Sequence, residues 1–239
     1  MTLRFIFYTV LACLIVSGVA GWVFFGEREP DPQEKALEAY QLILLSERRS
    51  AEKGDVEDWT RYANSLVHGP ADLRDPKAAM VWYRKAADEG YAPAQVGIGD
   101  LYSKGLGVQK NNHRAQEWYK LATRLSRNAE AYFKVGEGYF RGLGEPQDYG
   151  TALSYYKTAA KLGHPVAQYL IGSMYEVGWG VDSDLIEAWV WYMRALPKAE
   201  VVASYQEDFD VQKALNRLAR HMNQSQLDVA AKRLANLPQ

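Results

Sequence analysis

The chain has 239 residues, 48% of them apolar, and carries 28 basic against 29 acidic side chains. That is enough apolar matter for a sizeable core, and balanced charge without a lysine or arginine run argues against nucleic-acid binding. The one cysteine, Cys13, rules out an intramolecular disulfide, and four scattered histidines give no helix a metal pair, so neither a metal nor a cofactor is expected.

The first predicted element is a membrane helix. Phe5 to Phe25 contains no charge, and its 21 residues at about 1.5 Å each cross a hydrocarbon core of ~30 Å. Arg4 precedes it while Glu27, Arg28 and Glu29 follow, so the short tail is expected in the cytoplasm and the body outside. A retained anchor fits better than a cleaved signal, which would leave "GWVFF" as the new terminus. It also fits better than lipidation at Cys13, which is followed by more apolar chain. The segment Gly26 to Glu34, with Pro30 and Pro32, reads as a stalk, and a covering helix is expected over Gln33 to Lys53.

A repeat follows. "GLG" at Gly105 recurs at Gly142 and as "GWG" at Gly178, spacings of 37 and 36. The aromatic pairs Trp82-Tyr83, Trp118-Tyr119, Tyr155-Tyr156 and Trp191-Tyr192 keep the same step, as do the cap residues Asp75, Asn111, Asp148 and Asp184. Each cap opens a second helix. The first helices carry apolar stripes, Ala94, Ile98 and Tyr102, then Ala131, Val135 and Tyr139, then Ala167, Ile171 and Tyr175. Gly99, Gly136 and Gly172 weaken those helices, which implies close approach of a neighbour. The "GLG" loop superficially resembles a phosphate cradle, but it follows a helix rather than a strand and recurs at the same point of three successive units, so it is expected to end helices.

These residues resemble the Sel-one-like repeats, relatives of tetratricopeptide repeats with two antiparallel helices in about 36 residues. Ala94 to Ala122 and Ala167 to Ala195 carry the pattern best, Ala131 to Ala160 departs at Glu145, and the first unit replaces the glycine turn by "HGPADLRD" with Pro70. The resemblance implies an all-α fold, a right-handed α-α solenoid preceded by the transmembrane helix. The expected organisation is an anchor over 1–29, stalk and covering helix over 30–53, repeats at 54–89, 90–125, 126–162 and 163–197, and C-terminal covers over 198–239. The solenoid is expected to stop near Pro197, with helical periodicity resuming at Tyr205.

Function is expected to be binding. No nucleophile elbow, zinc-helix motif or nucleotide fingerprint is present, and His164 in "GHP" reads as a turn residue. The aromatic pairs read as packing. In the tetratricopeptide relatives the first helix lines the concave face, so its variable positions are the candidate partner contacts. They are Trp59, Thr60 and Arg61, Val96 and Asp100, Phe133, Glu137 and Arg141, and Tyr169, Ser173 and Glu176. The resemblance implies a protein or peptide partner and an adaptor or scaffold role. Two alternatives stay open: an immunity protein that neutralises a secreted enzyme, and a binder of cell-wall or exported polysaccharide through Trp59 or Trp179. Taken as bacterial from its short anchor and compact body, the chain is expected in the inner membrane, single-pass, with its body in the periplasm, or free there after signal cleavage.

Overall fold

The computed structural model describes residues 31–236, which are helical throughout apart from turns and loops. The segment Phe5 to Phe25 lies outside the described residues, and among those residues no helix is long and apolar enough to cross a membrane. The chain divides into two units, Met1–Ala39 and Tyr40–Gln239. The first described helix, α1 (Pro32–Lys53), runs across that division, with Ala51 and its last turn in the second unit, and begins one residue before the expected covering helix. Pro32 opens the helix because its missing N–H would have no intrahelical partner there. Glu34 accepts from the Asp31 amide at 3.2 Å, and Asp31 from the Gln33 amide at 3.3 Å.

The second unit holds the repeats, in helix pairs α2 (Val56–His68) and α3 (Pro76–Asp88), α4 (Ala92–Lys104) and α5 (Asn112–Leu125), α6 (Ala129–Arg141) and α7 (Tyr149–Lys161), and α8 (Pro165–Val177) and α9 (Leu185–Ala195). All four expected caps form. Asp75 accepts from Ala78, Asn111 from Arg114, Asp148 from Thr151, and Asp184 from Ile186 and Glu187. The amide of each cap also returns to the preceding helix, donating to the carbonyls of Leu66, Tyr102, Tyr139 and Tyr175 at 2.9–3.0 Å. Each hairpin is thereby closed in the same way, whether its loop is "GLG" or the 3₁₀ turn Ala71–Leu73 that stands in for it in the first unit.

The paired glycines divide two tasks. Gly105, Gly142 and Gly178 end their helices at φ of 73°, 68° and 87°, angles that cost a side-chain-bearing residue about 1–2 kcal/mol. Two residues on, the glycines meet the first turn of the previous unit's second helix. A Cβ on Gly144 would lie 2.3 Å from the Asn112 carbonyl oxygen, and one on Gly180 would lie 2.5 Å from the Tyr149 carbonyl carbon. Backbone fills the space a phosphate would need, so the loop turns a corner.

A second recurrence binds unit to unit. The last turn of a helix exposes carbonyls that need donors, and one side chain of the next helix supplies them. Gln95 donates to Ala87 at 3.4 Å, Tyr132 to Thr123 at 3.2 Å and Gln168 to Ala160 at 3.4 Å. Trp59 holds the same register and donates its indole N–H to Ala51 at 2.9 Å. The end of α1 is therefore held as the second helix of a truncated unit.

The regular helix pairs end with α9. After α9 come a 3₁₀ turn (Leu196–Lys198) containing Pro197, then α10 (Ala199–Tyr205), α11 (Val211–Ala219) and α12 (Gln224–Ala235). Tyr205 ends a helix where periodicity predicted a beginning. Asp210 caps α11 through the Lys213 amide, so the helix starts after the "QEDFD" turn. Val211, Ala214, Leu215 and Leu218 join Val190 and Tyr192 of α9 in one core cluster, which keeps the final repeat's apolar face out of water.

Candidate functional site

The second-helix tyrosines build the first-helix face from behind. A Cβ on Gly99 would lie 2.3 Å from the Tyr119 ring, one on Gly136 2.7 Å from Tyr156, and one on Gly172 2.8 Å from Tyr192. Each glycine is thus the seat of a buried ring, and the first ring of every aromatic pair flanks it half-buried. Three hydroxyls reach polar partners: Tyr83 donates to Asn64 at 2.5 Å, Tyr119 to Asp100 at 2.7 Å and Tyr192 to Glu176 at 2.8 Å. Burial, with Asp100 or Glu176 adding to it, pushes their pKa far up and keeps them neutral donors.

Tyr156 breaks the series. Its hydroxyl is buried without a partner, because Glu137, in register with Asp100, accepts instead from the Tyr205 hydroxyl and from Arg141 at 2.9 Å. An orphaned buried hydroxyl costs about 1–3 kcal/mol, so Tyr156→Phe is expected to leave stability unchanged or raise it. Tyr119→Phe is expected to lower it by about 1 kcal/mol. Urea titration of the two variants checks this, and equal losses would show that Tyr156 finds a partner.

The Tyr205 contact belongs to a larger fold-back. The C-terminal segment lies over the first-helix face of the third and fourth repeats, where sequence placed partner contacts. Phe133 is 1% exposed, with its ring centroid 4.2 Å from His164 and 5.4 Å from Tyr205. Tyr169 is 8% exposed between Tyr192 and Phe209. Arg217 clasps Glu176 with two bonds, at 2.6 and 2.7 Å. In the first repeat, Trp59 is the latch to Ala51 and is covered by the Lys85 ammonium 3.8 Å from its ring, Thr60 is buried, and exposed Arg61 pairs with Asp58. Trp179 stacks on Tyr149. Val96 is buried, Ser173 is half-buried, and Asp100 is shared by Tyr119 and by Lys134 at 3.6 Å. His164 caps α8 by accepting the Ala167 amide at Nδ1 and meets Glu130 at 3.0 Å through Nε2.

The Glu176 clasp sets an acid limit on the fold-back. Burial alone would push its carboxyl up, but the bonds from Arg217 and Tyr192 outweigh burial and hold it below its ordinary value of 4.5. A lowered folded pKa contributes stability above the unfolded value that is lost as pH falls through the folded one. Acidification below about pH 4.5 is therefore expected to release α11 progressively, read as faster amide exchange in Val211–Ala219. Glu130, lowered in the same direction, titrates in the same window, so Glu176→Gln isolates the clasp. Unchanged acid sensitivity in that variant would remove Glu176 from the account.

An open groove lies between the second and third repeats. It measures about 660 Å³ and is lined by α4, α5 and α6, with Ser204, Tyr205 and Gln206 as its far wall. Glu137 and Arg141, named from sequence, line it. Sequence reasoning missed Lys104, Lys110, Gln116, Tyr119 and Lys134. A signal for Gln116 was present: its register equivalents are Met80, Leu153 and Trp189, so a polar residue stands where the repeat places a large apolar one. Among the described residues no group of three or more histidine, cysteine, aspartate or glutamate side chains could hold a metal ion.

The Sel1 repeat model matches residues 61–91, 92–126, 129–164 and 165–196, more than half of the chain. Protein sel-1 homolog 2 of Rattus norvegicus is 34% identical over 92 residues, which are 38% of this chain and 13% of that relative. Among solved structures, c5321, described as a protective antigen of uropathogenic Escherichia coli with an SLR fold, aligns with a TM-score of 0.66 at 26% identity, covering 80% of this chain and 39% of that one. A Sel1 repeat protein from Oxalobacter formigenes aligns at 0.58 and 28% identity over 68% of this chain and 66% of its own. Capped helix pairs, seated tyrosines and these matches agree: the chain belongs to the Sel1 repeat family, whose units are helical modules of protein–protein interaction.

Proposed function

We propose that this protein is a membrane-anchored, non-catalytic adaptor that captures a protein partner on the extracytoplasmic side. The observation that carries the binding reading is the open groove on the first-helix face of the second and third repeats, next to the stretch of that face in the third and fourth repeats that the C-terminal segment covers. Its volume falls in the range of sites that hold a ligand segment rather than a surface ripple. The charge-free stretch Phe5 to Phe25, with Arg4 before it, supports the anchor and its orientation.

Affinity capture from detergent-solubilised native cells tests the reading, comparing the full chain with Lys104→Trp, whose indole would fill the groove from an exposed position. One protein retained by the full chain and lost by the variant is expected; equal retention by both, or none by either, contradicts it. Orientation is read separately. A C-terminal alkaline phosphatase fusion is expected to be active and to resist alkaline carbonate extraction, and an inactive fusion would place the body in the cytoplasm.

A further inference from the structure

The groove has a chemical character the other repeat junctions lack. Where Met80 and Leu101, and again Leu153 and Met174, stand buried, the junction of the second and third repeats has Gln116 and Gly138. A Cβ on Gly138 would lie 2.2 Å from the Gln116 amide nitrogen, so the glycine exists to let that side chain lie flat on α6. Exchanging a leucine-sized residue for glycine and a methionine-sized one for glutamine hollows the junction into a polar notch. The notch sits in the groove floor. Gln116 is 4% exposed and donates to the Lys134 carbonyl at 3.3 Å, which fixes its orientation and leaves the Oε1 acceptor buried without a donor.

Charge around the notch is one-sided. Lys104, Lys110, Lys134 and Arg141 line the groove against the single carboxylate Glu137, on a chain whose net charge is −1. Lys134 is paired with Asp100 and Glu130 at 3.6 Å and Arg141 with Glu137, while Lys104 and Lys110 make no ion pair among the described residues. An occupant suited to this groove brings carboxylates for the lysines and an N–H for Gln116 Oε1. A peptide supplies both. A nucleic-acid backbone supplies the anion without that amide donor.

Resting on the protein-binding reading above, we propose that the groove between the second and third repeats takes an extended acidic segment of the partner, with its carboxylates on Lys104 and Lys110 and a backbone N–H on Gln116 Oε1, which the Gln116 side chain must turn toward the groove to present. Electrostatics then sets specificity and salt dependence, and the notch sets register.

Fluorescence anisotropy with the full chain in detergent tests this, using a labelled (Glu-Gly)₅ peptide as probe, (Gln-Gly)₅ as its neutral counterpart and an oligothymidylate as the competing polyanion. The expected result is saturable binding of the acidic peptide at least tenfold tighter than either control, weakened at least tenfold by Lys104→Glu with Lys110→Glu, both exposed. A second variant removes the site without charge change. Gln116→Met with Gly138→Leu restores the apolar pair, so it is expected to melt at or above the parent temperature while losing the acidic peptide. Equal binding of acidic and neutral peptides, tighter oligothymidylate binding, or intact binding by the filled notch overturns the proposal. If those failures accompany unimpaired partner capture by the full chain, the adaptor reading stands without this chemistry.

Discussion

Phe133→Ala is expected to destabilise the repeat body by about 3–5 kcal/mol, the usual cost of truncating a fully buried phenylalanine. The ring is 1% exposed, stacked on His164, tilted on Tyr156 at 5.7 Å and edge-on to Tyr205. Its removal opens a cavity at the meeting of the third repeat, the fourth repeat's capping histidine and the C-terminal segment, where relaxation would have to disturb all three. A melting temperature lower by roughly 10 °C is the expected reading. The expected loss also bears on mapping. Replacing Trp59, Phe133 and Tyr169 together would break a latch and empty two packed sites, so lost partner capture in such a variant would report unfolding. A cost below about 1 kcal/mol for Phe133→Ala would instead mean that the ring stands free, as a surface anchor would.

Gly144→Ala has the next largest expected effect, about 2–5 kcal/mol, from two additive causes. The residue sits at φ 82°, which costs an alanine about 1–2 kcal/mol. The new methyl would also lie 2.3 Å from the Asn112 carbonyl oxygen and 2.8 Å from the His113 amide nitrogen, backbone that cannot rotate away. Forcing such an overlap costs about 1–3 kcal/mol more. Gly163 provides the internal control. It has a φ of 89° with nothing near its absent Cβ, so Gly163→Ala is expected to lose only the conformational part. Urea midpoints separate the two, and equal losses would show that the loop does not press on α5.

What recurs in the chain was legible from sequence, because the same physical need returns every 36 or 37 residues. Asp75, Asn111, Asp148 and Asp184 could be read as caps, and Gly99, Gly136 and Gly172 as seats for a close neighbour, since each was seen three or four times. The latch was present in the same register but hidden by its chemistry. Trp59, Gln95, Tyr132 and Gln168 look unrelated until their common task of donating to a helix-end carbonyl is seen. Of these four only Trp59 was read as a candidate partner contact; at this register the variation between units reflects several side chains able to make one bond.

The fold-back was beyond the periodic argument. Tyr205, Phe209 and Arg217 lie outside any repeat, and nothing in their spacing says that they reach Glu137, Tyr169 and Glu176, which are 68, 40 and 41 residues earlier. Part of the candidate face is therefore occupied by the chain itself. Glu137 and Arg141 line the open groove, while Phe133, Tyr169 and Glu176 are engaged by the chain itself. The groove floor could have been suspected from Gln116 and Gly138, the one junction where both apolar positions are broken.

The most direct test of the account is site-specific photocrosslinking in native cells, with a photoreactive residue at Lys104 in the groove or at Val81, 66% exposed on α3 and outside the groove lining. The account predicts a discrete adduct with one protein from position 104 and none from position 81. An adduct from position 81 with none from 104 would contradict it, because the partner would then dock away from the groove on which the functional reading rests.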